Sequence, residues 1–269
     1  MIGSSRGSLA TCREGLEARR GAAGFDQLSG QLFSVAGVLS TESQLRSVLA
    51  DSGQPLSVRE ALVRQVLGGK VSDLTIDVVV LATGQRWAED LDLVLAVEQL
   101  AAEAAFMVAD ANGSLEATEE ELFRFGRAVD ASPELQMTLT APSQTAATKA
   151  RVVADLLADR ATTATREVLE YSVGHLHGRR IDAVIDKLCD LAAEQRERMV
   201  AEVRVAAPID EDQKRRLAEV LTKLKGRAVR LNVAVDPAVI GGAHVRIGEE
   251  VIDGTVASRL ENAGRAILG

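Results

Sequence analysis

The chain has 269 residues, 46% apolar, 26% charged and only 3% aromatic, with a net charge of −8 and a pI of about 5.1. That composition suits a soluble, helix-rich globular protein of one to three domains, and its acidity argues against free nucleic acid or anionic lipid as the primary partner. Two cysteines, Cys12 and Cys189, fit neither a disulfide framework nor a paired metal clamp and read as reduced thiols of a cytoplasmic protein.

The opening "MIGSSRGSLATCREGLEARR" lacks the apolar centre of a signal peptide. Residues 1–24 are therefore read as an N-terminal extension with a first helix. Helical periodicity begins next, with Leu28, Leu32, Val35 and Leu39 on one stripe. "STESQL" (40–45) offers Ser and Thr caps for a short helix. "PLSVREALVRQVLGGK" (55–70) starts after a proline and stops at Gly68-Gly69. The run Val78-Val79-Val80-Leu81 has strand propensity, but its counterpart "REVLEYSVGHL" (166–176) is helix-like, so both are read as helices. The most apolar long window, 91–110, carries Asp92, Glu98 and Glu103, too many charges for a spanning helix. "DANGS" (110–114) then breaks the pattern.

Laid against itself at an offset of 90, the sequence repeats. Leu32-Phe33 falls on Leu122-Phe123, Val35 on Phe125, Leu39 on Val129, Leu45 on Leu135 and Leu49 on Leu139. Arg59 falls on Lys149, Leu62-Val63 on Val152-Val153 and Val66-Leu67 on Leu156-Leu157. With a slip of one, "LAAE" at 100–103 meets "LAAE" at 191–194. Chance heptads would drift out of phase much sooner, so a whole helical module is duplicated, at 25–112 and 113–198.

After residue 198 the period changes. "MVAEVRVAAP" alternates, with Val203 and Val205 on one face; "RAVRLNVAVD" and "AHVRIG" do the same. Between the first two, "IDEDQKRRLAEVLTKLKG" runs from acidic to basic, as a helix dipole favours. "TVASRLENAGRAIL" reads as a closing helix. The expected fold is mainly α: two tandem helical-bundle modules followed by a small α/β C-terminal domain at 199–269.

No motif carries catalysis. Gly241-Gly242 leads into a strand, so no helix N-terminus faces it, and "LGGKV" (67–71) has Val71 where a phosphate loop needs a hydroxyl. Gly241-Gly242 is instead read as a turn needing positive φ. "HLH" (175–177) on a helix would point its rings about 200° apart, which suits capping or surface histidines better than a metal pair. Trp87 and Tyr171 are read as inter-helix packing, and His244 as exposed on its strand. No catalytic residue, cofactor or metal is expected.

The stretch "VRLNVAVDPAVIGGAHVRIG", followed by "EEVIDGTVASRLENAGRAIL", resembles the C-terminal signature of the delta subunit of F-type ATP synthase, the family of the oligomycin-sensitivity-conferring protein. The positions are Val229, Leu231, Val235, Asp236, Val239, Gly241, Gly242, Val245, Arg246 and Gly248, then Asp253, Gly254, Arg259 and Leu260. "LFRFGRAVDASPELQMTLTAPSQTAATKARVVADLL" (122–157) resembles the family's helical domain. Two departures stand out: the usual aromatic-alanine opening is absent, and the extra copy at 25–110 makes a long form of the kind seen in actinobacteria.

The resemblance implies a non-catalytic stator subunit, a peripheral protein on the cytoplasmic side of the plasma membrane with no insertion of its own. Its helical domain would grip N-terminal helices of the alpha subunits and its C-terminal part would hold the b subunit stalk, so that rotor torque drives ATP synthesis. The candidate alpha-helix groove is Leu32, Phe33, Val35, Leu122, Phe123 and Phe125; the stalk-facing region is the signature from Asp236 to Leu260. The alternative is a helical-repeat adaptor of another cytoplasmic complex.

Overall fold

The computed structural model describes residues 3–197, 199–225, 229–236, 239, 242–247 and 250–253. It divides into two units, 1–195 and 196–269.

The first unit is helical. Its elements are α1 (Ser4–Glu17), α2 (Leu28–Thr41, entered through a 3-10 turn at Phe25–Gln27), α3 (Ser43–Ala50), α4 (Leu56–Leu67), α5 (Asp73–Thr83) and α6 (Asp90–Ala111). There follow α7 (Leu115–Ala131), α8 (Pro133–Thr140), α9 (Ala146–Leu157), α10 (Thr163–Gly174) and α11 (Ile181–Glu197). The β-branched run at 78–81 lies inside α5. Ser72 caps that helix, its Oγ accepting from Thr75 N, and tertiary packing on more than one face overrides the strand propensity.

Shifted by 90, α3 and α4 fall end to end on α8 and α9, and α5 falls on α10. The same shift sets α1 on the middle of α6, and α6 on α11. Thus α6 closes the first copy and opens the second. It is apolar all round, with Leu93, Val97, Leu100, Ala104 and Phe106 buried, the pattern of a helix at the centre of a core. One apolar core accordingly runs through both copies.

The correspondence reaches individual hydrogen bonds. Gln31 Oε1 accepts from Ser72 N at 2.8 Å and from Thr75 Oγ1 at 2.6 Å. Glu121 Oε2 accepts from Thr162 N at 2.9 Å and from Thr165 Oγ1 at 2.6 Å. In both copies a side chain of the first long helix ties down the start of the fourth, satisfying a helix-terminal donor that burial would otherwise strand. The buried cations Arg59 and Lys149 also correspond, and Arg59 Nη1 donates to the Thr83 carbonyl.

The second unit contains β1 (Met199–Val205), α12 (Glu211–Lys225), β2 (Val229–Val235), β3 (Ala243–Ile247) and β4 (Glu250–Asp253). The sheet order is β2-β1-β3-β4, with β1 and β2 parallel and the other two pairings antiparallel. The parallel pair needs a crossover, which α12 supplies. Ala201, Val203, Val205, Leu221, Val229, Val245 and Ile247 form its core. Period-two alternation locates β1, β2 and β3; β4, only four residues long, carries too little pattern to announce itself. The helix expected from "TVASRLENAGRAIL" lies outside the described residues.

Candidate partner-binding surfaces

The sequence assigns six apolar residues to a groove for a partner helix, and the fold separates them. Leu32, Val35, Leu122 and Phe125 are buried in the core that the helical unit shares throughout. They are spent on folding, and a partner could reach them only by opening the core. Phe33 is covered too, at 6% exposed, but by the other copy: its ring stacks on Tyr171 of α10 with centroids 4.5 Å apart. Only Phe123, on α7 and 61% exposed, presents its ring to solvent.

Around Tyr171 lies a polar cluster that the sequence did not announce. Glu98, buried on α6, accepts from the Tyr171 hydroxyl at 3.1 Å, from His177 Nε2 at 2.8 Å and from Arg179 Nη2 at 2.9 Å. His175 stacks on Tyr171 at 4.0 Å and its Nδ1 donates to the Tyr171 carbonyl. The "HLH" histidines therefore follow α10 and help to clamp the copies together. Burial and the neighbouring Glu98 carboxylate push the Tyr171 phenol well above its ordinary range, so it stays a donor.

The C-terminal signature is partly structural. Val245 is buried beneath the sheet. Arg246 Nη2 donates to Glu202 Oε2 at 2.9 Å across the β1–β3 pair, on the exposed side. Asp236 N donates to Val205 O and Val239 N donates to Asp236 O, closing the turn after β2. Gly242 has φ +80°, a left-handed backbone ahead of β3 that an L side chain rarely adopts, so the structural reading of the glycine turn holds there. Asp253 pairs with His244 in the β3–β4 register, and His244 is half-buried. Gly241, Gly254, Arg259 and Leu260 lie outside the described residues. A surface the sequence did not single out is on α12, where Val220 and Leu224, one turn apart, are both exposed.

A cleft of about 360 Å³ lies between the start of α2, the end of α6 and the start of α10. Asp26, Ser29, Asn112, Thr163 and Glu167 are among its lining residues, and no lysine or arginine is, so it offers no cation to a phosphate. Burial raises the Glu167 carboxyl. Cys12, fully buried, has its thiol pushed up to about 12 by burial, and Cys189 to about 11 by burial and by Asp186, Asp190 and Glu119. Neither is an activated nucleophile.

The family model of the ATP synthase delta (OSCP) subunit matches residues 97–267. "ATP synthase subunit delta" of Streptomyces griseus is 42% identical over 271 residues, covering 100% of both chains. The chain belongs to the ATP synthase delta (OSCP) family. The Streptomyces coelicolor subunit is 40% identical over 99% of this chain and 98% of its own, and that of Parafrankia is 37% identical over 99% of each. A chain of the Toxoplasma gondii mitochondrial ATP synthase hexamer covers 64% of this chain and 97% of its own at 20% identity, with a TM-score of 0.27, too low to bear on the fold.

Membership in the delta family makes this a non-catalytic stator subunit of the ATP synthase and removes the ground for the adaptor reading. The family pattern begins inside α6 and runs through the second copy and the C-terminal unit; the first copy precedes it. The long form is shared with the actinobacterial relatives, which match from end to end.

Proposed function

We propose that this chain joins two bodies of the synthase: its helical unit holds N-terminal helices of the alpha subunits and its C-terminal unit holds the b subunit stalk. The observation that carries this is the division into two units with separate cores, each exposing apolar side chains: Phe123 on the first, Val220 and Leu224 on the second. Such side chains are anchors of the kind that helix-in-groove binding uses. A tether with two contacts gains from effective concentration, because each contact holds the other near its partner. Of the six groove residues, the proposal retains Phe123 as the direct contact and gives Leu32, Phe33, Val35, Leu122 and Phe125 the task of holding the scaffold.

The proposed division is a first helix at 1–24, helical copies at 25–112 and 113–198, and a C-terminal domain at 199–269. The element-for-element correspondence at an offset of 90 supports the copies, and the boundary between units at 195 and 196 supports the last division. The stalk-facing role of the C-terminal signature rests on the resemblance of those residues to the family pattern. The chain works as a peripheral protein on the cytoplasmic side of the membrane; among the described residues no helix is long and apolar enough to cross it.

Titration calorimetry of the intact chain against an alpha-subunit N-terminal peptide, and separately against the soluble part of b, tests the partner assignment. Saturable binding of both is expected, and binding of neither by a folded chain defeats it.

A further inference from the structure

The sheet of the second unit has β2 (Val229–Val235) as an edge strand, matched to β1 residue for residue without a bulge. It holds no lysine and no proline, the residues that commonly blunt such an edge. Asp236 N donates to Val205 O, so the even-numbered amides of β2 face β1 and the odd-numbered ones face away. Val229 N accordingly turns outward, where Thr222 Oγ1 of α12 accepts it at 3.0 Å. Among the described residues, no strand lies beside the outward groups of Leu231 and Val233.

This edge is complementary to itself. Val229, Leu231, Val233 and Val235 are spaced symmetrically about Asn232. The first three share a core with Leu217 and Leu221 of α12, and Val235 is 51% exposed. An antiparallel pairing centred on Asn232 sets Leu231 opposite Val233 and Val229 opposite Val235. Leu231 and Val233 then exchange N–H···O=C bonds in both directions, and Asn232 meets Asn232 in the closer, non-hydrogen-bonded pair. The two-fold axis through that point leaves both α12 helices on the same side of the joined sheet. Because α12 lies over β2, joining the strands brings together the α12 flanks that carry the exposed Val220 and Leu224. Charge agrees with this choice of face. Residues 1–195 carry 18 basic and 28 acidic side chains, whereas 196–269 carry 13 and 11. Two helical units repel, while two C-terminal units meet near neutrality.

We infer that two copies of this chain pair antiparallel through their β2 edges, centred on Asn232, when the chain is outside the synthase. Each copy supplies a seven-residue edge and one turn of α12, a small contact of the weak and reversible class. The pairing covers Val220 and Leu224, the face proposed above for the stalk, so a second copy and the b subunit compete for it. That competition rests on the stalk reading; the pairing itself does not.

Sedimentation velocity of the intact chain over a wide range of concentration tests the pairing. The mean mass should rise towards twice the monomer value, and amide exchange at Leu231 and Val233 should slow several-fold over the same range. Asn232 is exposed, so its replacement leaves the core untouched. Asn232→Asp and Asn232→Lys should each keep the native circular dichroism and stay monomeric, because like charges then meet at the axis. An equimolar mixture of the two variants should pair as the parent does. A parent that stays monomeric overturns the inference, as does a dimer that survives in both variants, or a mixture that does not pair. Adding the soluble part of b to the parent should convert the dimer into a complex holding a single copy of the chain. A b fragment that binds the dimer without dissociating it overturns the shared face. One that binds neither form defeats the stalk reading and the competition with it, and leaves the pairing standing.

Discussion

Arg20 donates to Asp110 at 2.7 Å, and the two residues are 90 apart, the offset of the internal repeat. The bond therefore joins positions of α1 and α6 that the repeat makes equivalent. Arg13 and Glu103 do likewise at 2.8 Å. Further along the row, Arg13 also reaches Glu194 and Asp110 also accepts from Gln195. The helices α1, α6 and α11, equivalent under the repeat, are thus laced together by ion pairs and a hydrogen bond. The duplication has been converted into contact: the face one copy presents is the face its successor receives, as in repeat proteins.

Arg13→Ala should lower the unfolding free energy of the helical unit by about 3 kcal/mol, because it leaves the buried Glu103 carboxylate without its guanidinium. Urea denaturation followed by circular dichroism reads this. Replacing both partners, as Arg13→Met with Glu103→Leu, should recover most of the loss; a double variant as weak as the single would speak against the pair as the cause.

The two copies use Gln31 and Glu121 for the same bonds, so the swaps Gln31→Glu and Glu121→Gln should each shift stability by less than about 1 kcal/mol. Glu121→Ala should cost about 1 to 2 kcal/mol, because it frees the Thr162 amide and the Thr165 hydroxyl together. Amide exchange at the start of α10 should quicken in the alanine variant alone.

Tyr171→Phe removes the hydroxyl, with its bonds to Glu98 and Ser40, and should cost about 1 kcal/mol. Tyr171→Ala also removes the ring from Phe33 and should cost about 3 kcal/mol. The second change should speed amide exchange in α2 as well as α10, because the ring is shared between copies. A response confined to α10 would deny the coupling.

Both thiol pKa values are raised in the folded chain, so folding retains protons that an unfolded thiol releases above its ordinary value of about 8.5. Stability from these groups is complete below that value. It is lost as pH rises towards about 11 for Cys189 and about 12 for Cys12. Thiol labelling at pH 8 should therefore be slow in the native chain and fast in urea, with Cys12, fully buried, the slower of the two. Rapid native labelling of Cys12 would refute this.

The helical copies were legible because a period of 3.6 and a fixed offset are local properties of the chain, and β1, β2 and β3 were legible because their apolar residues alternate. The sharing of α6 was not. Its all-round apolarity was visible at 91–110, but only contacts reveal that it serves two modules at once. The same holds for the site. Phe33 and Phe123 are equivalent in sequence, and their opposite burial depends on Tyr171, a residue of the other copy. Tyr171 meets Glu98 across 73 positions, a distance that periodicity does not span. Helical spacing alone places the histidines after α10 on a helix; the helix ends at Gly174, and the loop that follows turns His177 back onto Glu98.

The most direct measurement of the bridging role is sedimentation velocity on mixtures of the alpha–beta head, the soluble part of b and the intact chain. The b fragment should travel with the head only when the chain is present, and Phe123→Asp should weaken that transfer. If b sediments with the head in the absence of the chain, or stays behind in its presence, the chain does not join head to stalk.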